Sequence, residues 1–478
     1  MSIEIIIILI YMISVIGVGI YSQMKVSSSE SGINDYYAAG SNVGTMFNAL
    51  AMMTALGSGG TFMALSGTVW TFGYSYFAWM FSGAVTGFFV ASILVAKALR
   101  RSGKVTVPSY LEFRYSSKPL MLLATVVVIL GSSMYLISQM AAGGMITEYV
   151  TGFSYEISLI IVGFVFILYV SIGGMMAVTW TNIIQGALIM LIGVFILFGG
   201  IMYLPTNYSE FFNKALTDNP SMGTIDPQTI FASIGAFITW AAAASVTPHL
   251  IMRVFTAKNE KSAKLSMNIA MLLYSILIII PAFIVVPYIN ILGTEVLENY
   301  RSDMWLLLVV EELFSPLVIG LILAGLLAAV MSSTDSLLLA VSSAVSYDIY
   351  YRVFNNNASQ KKIITVSTIA TWVIGITVVI ITLNPPEFII VFYTGAVGFM
   401  VSSLFAPLVL GVWWKKASGF SAIIGLLSGA LVFWVLYLGF TMPSNSEVLV
   451  ALPVSLAAMS IATLMKPNTV YLNEGEYK

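Results

Sequence analysis

Apolar residues run along this chain in thirteen blocks, and a bilayer core is crossed by about 20 residues of helix. The blocks are 3–23, 45–70, 74–97, 119–148, 153–174, 183–204, 229–251, 265–290, 316–347, 363–383, 388–411, 417–440 and 448–465. The longest polar stretches between them are 24–44, 98–118, 205–228 and 291–315. The pattern predicts an all-α polytopic membrane protein with thirteen transmembrane helices and no soluble domain. The first block has no Lys/Arg stretch before it and no small-residue cleavage site after it, so it is expected to stay as a helix rather than be removed as a signal peptide.

The charges between the blocks orient them. With the N-terminus outside, the cytoplasmic segments hold Lys25; Lys97, Arg100, Arg101, Lys104, Arg114 and Lys118; Arg253, Lys258, Lys261 and Lys264; Arg352, Lys361 and Lys362; Lys415 and Lys416; Lys466 and Lys478. Of the 20 basic residues only Lys214 and Arg301 fall outside. This is the positive-inside asymmetry, and it places the C-terminus inside.

Three places break the apolar pattern. The second block reads FNALAMMTALGSGGTFMALSGTVW, with Gly57, Gly59 and Gly60 at its middle. Each glycine weakens a helix by about 1 kcal/mol relative to Ala. Either the helix is unwound there and its freed carbonyls bind an ion or solute, or the glycines form a close-packed face. The seventh block carries Gly235, the run Trp240-Ala-Ala-Ala-Ala, and then Pro248 and His249, expected at its cytoplasmic end with Arg253 one turn on. Interruptions in corresponding halves point to a transporter built of inverted repeats. Here the halves are 45–204 and 229–411, flanked by 1–44 and 412–478.

The third place is AAVMSSTDSLLLAVSSAVSYDIY, 328–350. On a helix, Ala329, Ser332, Ser333, Ser336, Ala340 and Ser343 share one small, polar face. Such a face suits close helix packing; its hydroxyls and carbonyls equally suit an alkali cation, which prefers hard oxygen ligands. Asp335 is the one acidic residue set deep in a block, and an intramembrane carboxylate points to function by default. No Lys or Arg is expected beside it, so it is expected to be linked to a bound cation or to carry a proton.

Composition narrows the chemistry. Hydrophobic residues make up 59% and charged residues 9%, against about 25% charged in soluble domains. The net charge of −1 offers no field for nucleic acid. With no cysteine and one histidine, thiol catalysis, Cys-ligated metal and multi-histidine sites are excluded, and no nucleophile–base constellation marks an enzyme.

The motif at 328–350, with SIGGMMAVTWTNIIQ at 171–185 and TPHLIMRVFTA at 247–257, resembles the sodium:solute symporter family over nearly the whole chain. The resemblance implies a LeuT-like core of two inverted five-helix repeats in a multi-pass protein of the cell membrane. It implies sodium-coupled import of a small organic solute, a monocarboxylate or an amino acid, with Na+ as coupling ion and no organic cofactor. It places sodium on the carbonyls of Thr54, Gly57 and Ala329 and the hydroxyls of Ser332 and Ser333. It places the solute against Thr61, Phe62, Tyr135, Gln139, Thr239 and Trp240. Where many members have Asp, this chain has Asn182; a second cation or a proton site would then involve Asn182, Asp335 and Ser336. Several relatives have a tyrosine gate near position 244, where this chain has Ala244. The alternative within transport is a proton-coupled permease using Asp335.

Overall fold

The computed structural model describes residues 2–27, 32–225, 227–295, 301–385, 389–440 and 442–468. Among these there is no strand, only an isolated parallel bridge between Val43 and Ala257. Among the described residues twelve helices are long and apolar enough to cross a membrane. An apolar helix of 12 residues, Thr45–Leu56, is too short to do so alone.

Two boundaries between blocks are single-glycine turns with helix running directly up to and away from them. The stretch Ala64–Leu94 is two helices joined at Gly73 (φ 80°), and Tyr155–Met202 is two joined at Gly174 (φ 58°). Both angles lie in the left-handed region that a side chain resists. A Cβ at Gly174 would also come within 2.6 Å of the Tyr36 ring. The consequence reaches the site. Residues 175–182, expected between spans, are helical, so Thr179, Thr181 and Asn182 are buried in the bundle.

Exposure sorts the helices by depth. Of the first span, Ile3–Tyr21, 11% is buried, and Ile10 and Ile13 are more than 60% exposed, as a lipid-facing helix requires. The spans at the centre are Phe392–Trp413 and Pro316–Phe354, 83% and 78% buried. The second carries the serines, and every residue from Ile322 to Ser343 is buried.

Two crossings are broken. The first is Thr45–Leu56, which ends at Gly57 (φ −68°, ψ 72°) before the chain resumes helix at Gly59. The second is Pro227–Val246, which stops at extended Thr247 before Pro248–Thr256. Proline at the first helical position has no N–H to lose and a preset φ, so Pro248 starts the new helix where it would disrupt an old one. The halves Thr45–Leu56 and Pro248–Thr256 are fastened together. Val43 N–H donates to the Thr256 carbonyl (3.0 Å), Asn48 Nδ2 to the Arg253 carbonyl (2.9 Å), and Thr256 Oγ1 to Asn48 Oδ1 (2.9 Å).

Candidate functional site

The helix that ends at Leu56 leaves its last carbonyls without intrahelical donors, and they form the negative end of its dipole. They face the serine helix, Pro316–Ser343. Ser332 Oγ donates to the Thr54 carbonyl (2.8 Å) and lies 2.9 Å from the Ala329 carbonyl. Ser333 Oγ lies 3.2 Å from the Ala55 carbonyl and 3.5 Å from that of Thr54. Three carbonyls and two hydroxyls therefore converge from two helices, and all five residues are fully buried. Each hydroxyl can turn its proton aside and offer a lone pair to a cation. Gly57, expected to supply a carbonyl here, ends the helix, its N–H on the Met53 carbonyl (2.8 Å); besides Thr54, the carbonyl of that helix within reach of the hydroxyls is that of Ala55.

Across the break, Thr61 Oγ1 donates to the Leu56 carbonyl (3.0 Å), and Gly59 N–H donates to Gln139 Oε1 (3.1 Å). The glycine run is thus both a helix break and a close-packed face. It is unwound at Gly57 and tightly packed at Gly59, where a Cβ would come within 2.6 Å of Ala142 Cβ.

Beside this junction a cavity of about 10 Å³ is lined by Thr61, Leu65, Met80, Ala84, Trp240, Tyr274, Ile278 and Tyr393, room for about one water. Thr61 and Trp240 of the expected solute residues line it. Tyr135 reaches it through Tyr393 (ring centroids 4.6 Å apart), which also packs on Trp240 at 4.9 Å. Gln139 caps the half-helix next to it. Phe62 and Thr239 are buried outside its lining. Tyr274, whose hydroxyl is 3.2 Å from Thr61 Oγ1, and Tyr393 escaped the sequence reading, since a tyrosine in an apolar span carries no mark of which face it occupies.

Two placements from sequence are corrected. His249 is not at a cytoplasmic mouth. It is buried at the second break, its ring 5.3 Å from that of Tyr135, its Nδ1 without a partner. Arg253, expected in a cytoplasmic segment, is fully buried beside the second-cation candidates. Its Nη2 donates to Ser336 Oγ (3.0 Å) and its Nη1 to Thr179 Oγ1 (2.9 Å). Asn182 accepts from Arg253 Nη2 (2.7 Å) and donates to the Val178 carbonyl and to Gln185 Oε1, the amide orientation that satisfies every partner. Gln185 Nε2 in turn donates to the hydroxyl of Tyr11 on the first helix (3.0 Å). Asp335 therefore does have a cation near it. The carboxylate does not touch the guanidinium, and neither of its oxygens has a hydrogen-bond partner, but Arg253 is within electrostatic range.

A larger cavity, about 400 Å³, opens between residues 35–47 and the Met176–Ile183 stretch, with Thr179 on its wall. Thr179, which accepts from Arg253, thus borders open space.

Known proteins resemble this chain in sequence and in fold. The chain is 30% identical over 458 residues to the osmoregulated proline transporter OpuE of Bacillus subtilis, covering 91% of this chain and 89% of that one. Its fold is similar to that of a Na+-coupled sialic acid symporter solved in a substrate-bound outward-open state, with a TM-score of 0.84 at 18% identity over 98% of this chain and all of the other. It is more distantly similar to a nucleobase-cation-symport-1 family transporter in a closed conformation, with a TM-score of 0.55 at 16% identity over 92% and 96% of the two chains. These are LeuT-fold-like transporters. The sodium:solute symporter family model matches residues 36–429. The chain belongs to the sodium:solute symporter family: it is a multi-pass membrane transporter and not an enzyme.

Proposed function

We propose that this protein imports a small organic solute, an amino acid or a monocarboxylate, by alternating access driven by an inward sodium gradient, with proline the first candidate. The observation that carries the proposal is the junction of Thr54, Ala55, Ala329, Ser332 and Ser333. Five uncharged oxygens meet at the negative end of a helix dipole, a donor set that suits a monovalent alkali cation. The proline transporter among its relatives supplies the solute class. The absence of a basic side chain from the lining of the small cavity fits a solute whose carboxylate is met by helix ends, hydroxyls and the bound ion.

Counting the broken helix 45–72 as one crossing gives thirteen, an outside N-terminus and an inside C-terminus. The ten-helix core, 45–411, is two inverted repeats, 45–204 and 229–411, flanked by 1–44 and 412–478. The solute is held by Thr61, Tyr135, Gln139, Trp240, Tyr274 and Tyr393. A ligand pocket for a small molecule takes about 300 Å³ or more, so the rings of Trp240 and Tyr393 part to admit it. A second reading, proton coupling, is favoured by one observation, the unpartnered oxygens of Asp335. Uptake of radiolabelled proline, acetate and pantothenate into proteoliposomes tests both. The expected result is accumulation under an imposed sodium gradient. Accumulation under a proton gradient alone would replace the sodium reading with the proton one.

A further inference from the structure

The cluster of Asn182, Asp335 and Ser336, the candidate for a second cation or a proton, already contains a charge. The Arg253 guanidinium is hydrogen-bonded to Ser336, Asn182 and Thr179 and lies 3.5 Å from the sulfur of Met175. Its backbone is pinned as firmly, with its carbonyl on Asn48 and its helix end on Val43. Two of the neutral oxygens that a metal ion would use there, those of Asn182 and Ser336, are engaged by the guanidinium instead. The Asn182 oxygen is on Arg253, and its nitrogen presents only N–H. Ser336 Oγ donates to the Ser332 carbonyl (3.0 Å) and accepts from Arg253. The residue that could have been a carboxylate is an amide, and the carboxylate that is present, Asp335, stands within electrostatic range of the guanidinium.

We propose that Arg253 is a tethered cation that fills the second ion pocket and balances Asp335, so that the protein binds one sodium ion per transport cycle. This rests on the sodium reading above and adds the number of ions. The serine junction is left as the sole sodium site, and Asp335 lies within electrostatic range of a tethered guanidinium instead of holding a transported ion. Asp335 and Arg253 are positioning residues: neither is among the five residues of the junction, but Ser336, which Arg253 grips, is bonded one turn back to the carbonyl of Ser332.

The test is the number of sodium ions bound, read with 22Na+ alone on the purified full-length chain by equilibrium dialysis. Wild type is expected to bind one ion per chain, with a Hill coefficient of 1. Arg253→Met vacates the pocket and frees Asp335, and is expected to bind two. Arg253→Lys keeps a tethered charge and stays at one, and the double variant Arg253→Met/Asp335→Asn returns to one. Two ions bound to wild type would overturn the proposal while leaving sodium symport intact. So would a folded Arg253→Met protein that still binds one ion with wild-type affinity. No saturable sodium binding to wild type would instead strike the sodium reading itself, and this inference with it. If Arg253→Met does not fold, the wild-type count still decides.

Discussion

Replacing Ser332 with alanine removes one oxygen from the serine junction and nothing else of size. The Ser332 hydroxyl lies 2.8 Å from the Thr54 carbonyl and 2.9 Å from that of Ala329, with no exposure to solvent. The space left is about that of one hydroxyl, too small for water to restore the ligand. The loss is therefore not refilled, and it falls in the range for a buried polar interaction, about 1–3 kcal/mol, or about 5- to 150-fold in ion affinity. Ser333 is placed less closely, 3.2 Å from the Ala55 carbonyl and 3.5 Å from that of Thr54. The order of effect is thus Ser332→Ala above Ser333→Ala. The assay is the sodium concentration that gives half-maximal initial uptake in proteoliposomes, with the melting temperature of each purified variant as a check on folding. Ser342→Ala is the control, because Ser342 bonds only its own helix, at the Leu339 carbonyl. Sodium dependence unchanged in both junction variants, at wild-type melting temperature, would refute the assignment.

Gly59→Leu is expected to abolish uptake while the chain still inserts, since a Cβ alone would stand 2.6 Å from Ala142 Cβ and 3.1 Å from Val330; overpacking of this kind costs about 1–3 kcal/mol, and normal uptake would contradict the packing. On the loop before Trp305–Leu313, Asp303 is buried and accepts the Ile389 N–H (3.2 Å); burial pushes its carboxyl up to about 6 despite that bond. The folded state thus favours the protonated form. The associated stability is fully present below about pH 4 and is lost as pH rises through about 6. Asp303→Asn is therefore expected to be more stable than wild type at pH 7–8, by up to about 3 kcal/mol, and equal to it near pH 4; a difference independent of pH would contradict the argument. Glu112 receives two bonds from Arg352, at 2.6 and 3.1 Å, joining the helix Val107–Tyr115 to the end of the span that carries the serines. Glu112→Gln and Arg352→Gln should each cost about 1 kcal/mol, and a double variant that loses the full sum in denaturation would show that the pair does not interact.

The spans were legible because lipid imposes a length, and no neighbour is needed to read it. Pairing was legible only where a motif reported it, as at Ser332 and Ser333. Backbone breaks were partly legible. The run at Gly57 signals one, since three glycines in four positions cannot hold a helix cheaply. An interruption in the seventh block was legible, but not its position: Pro248 looked like the end of the span when it begins a new helix after Thr247. That difference decides the depth of everything after it. If the span stops near residue 251, Arg253 belongs to water, and Asp335 is left without a cation. With the helix restarting at Pro248, the same arginine lies inside the protein, five residues along a new helix, its guanidinium on Ser336 and Thr179. Gly174 works in the same way. By turning the chain within one residue it brings Thr179 and Asn182 into the bundle as partners for that arginine, where the expected gap at 175–182 would have left them outside. The charge of a residue can be read from its letter, but in a membrane its depth follows from where the helix that carries it begins. Here two backbone turns, at Gly174 and at Thr247, bring a cation within electrostatic range of a carboxylate that the sequence shows alone.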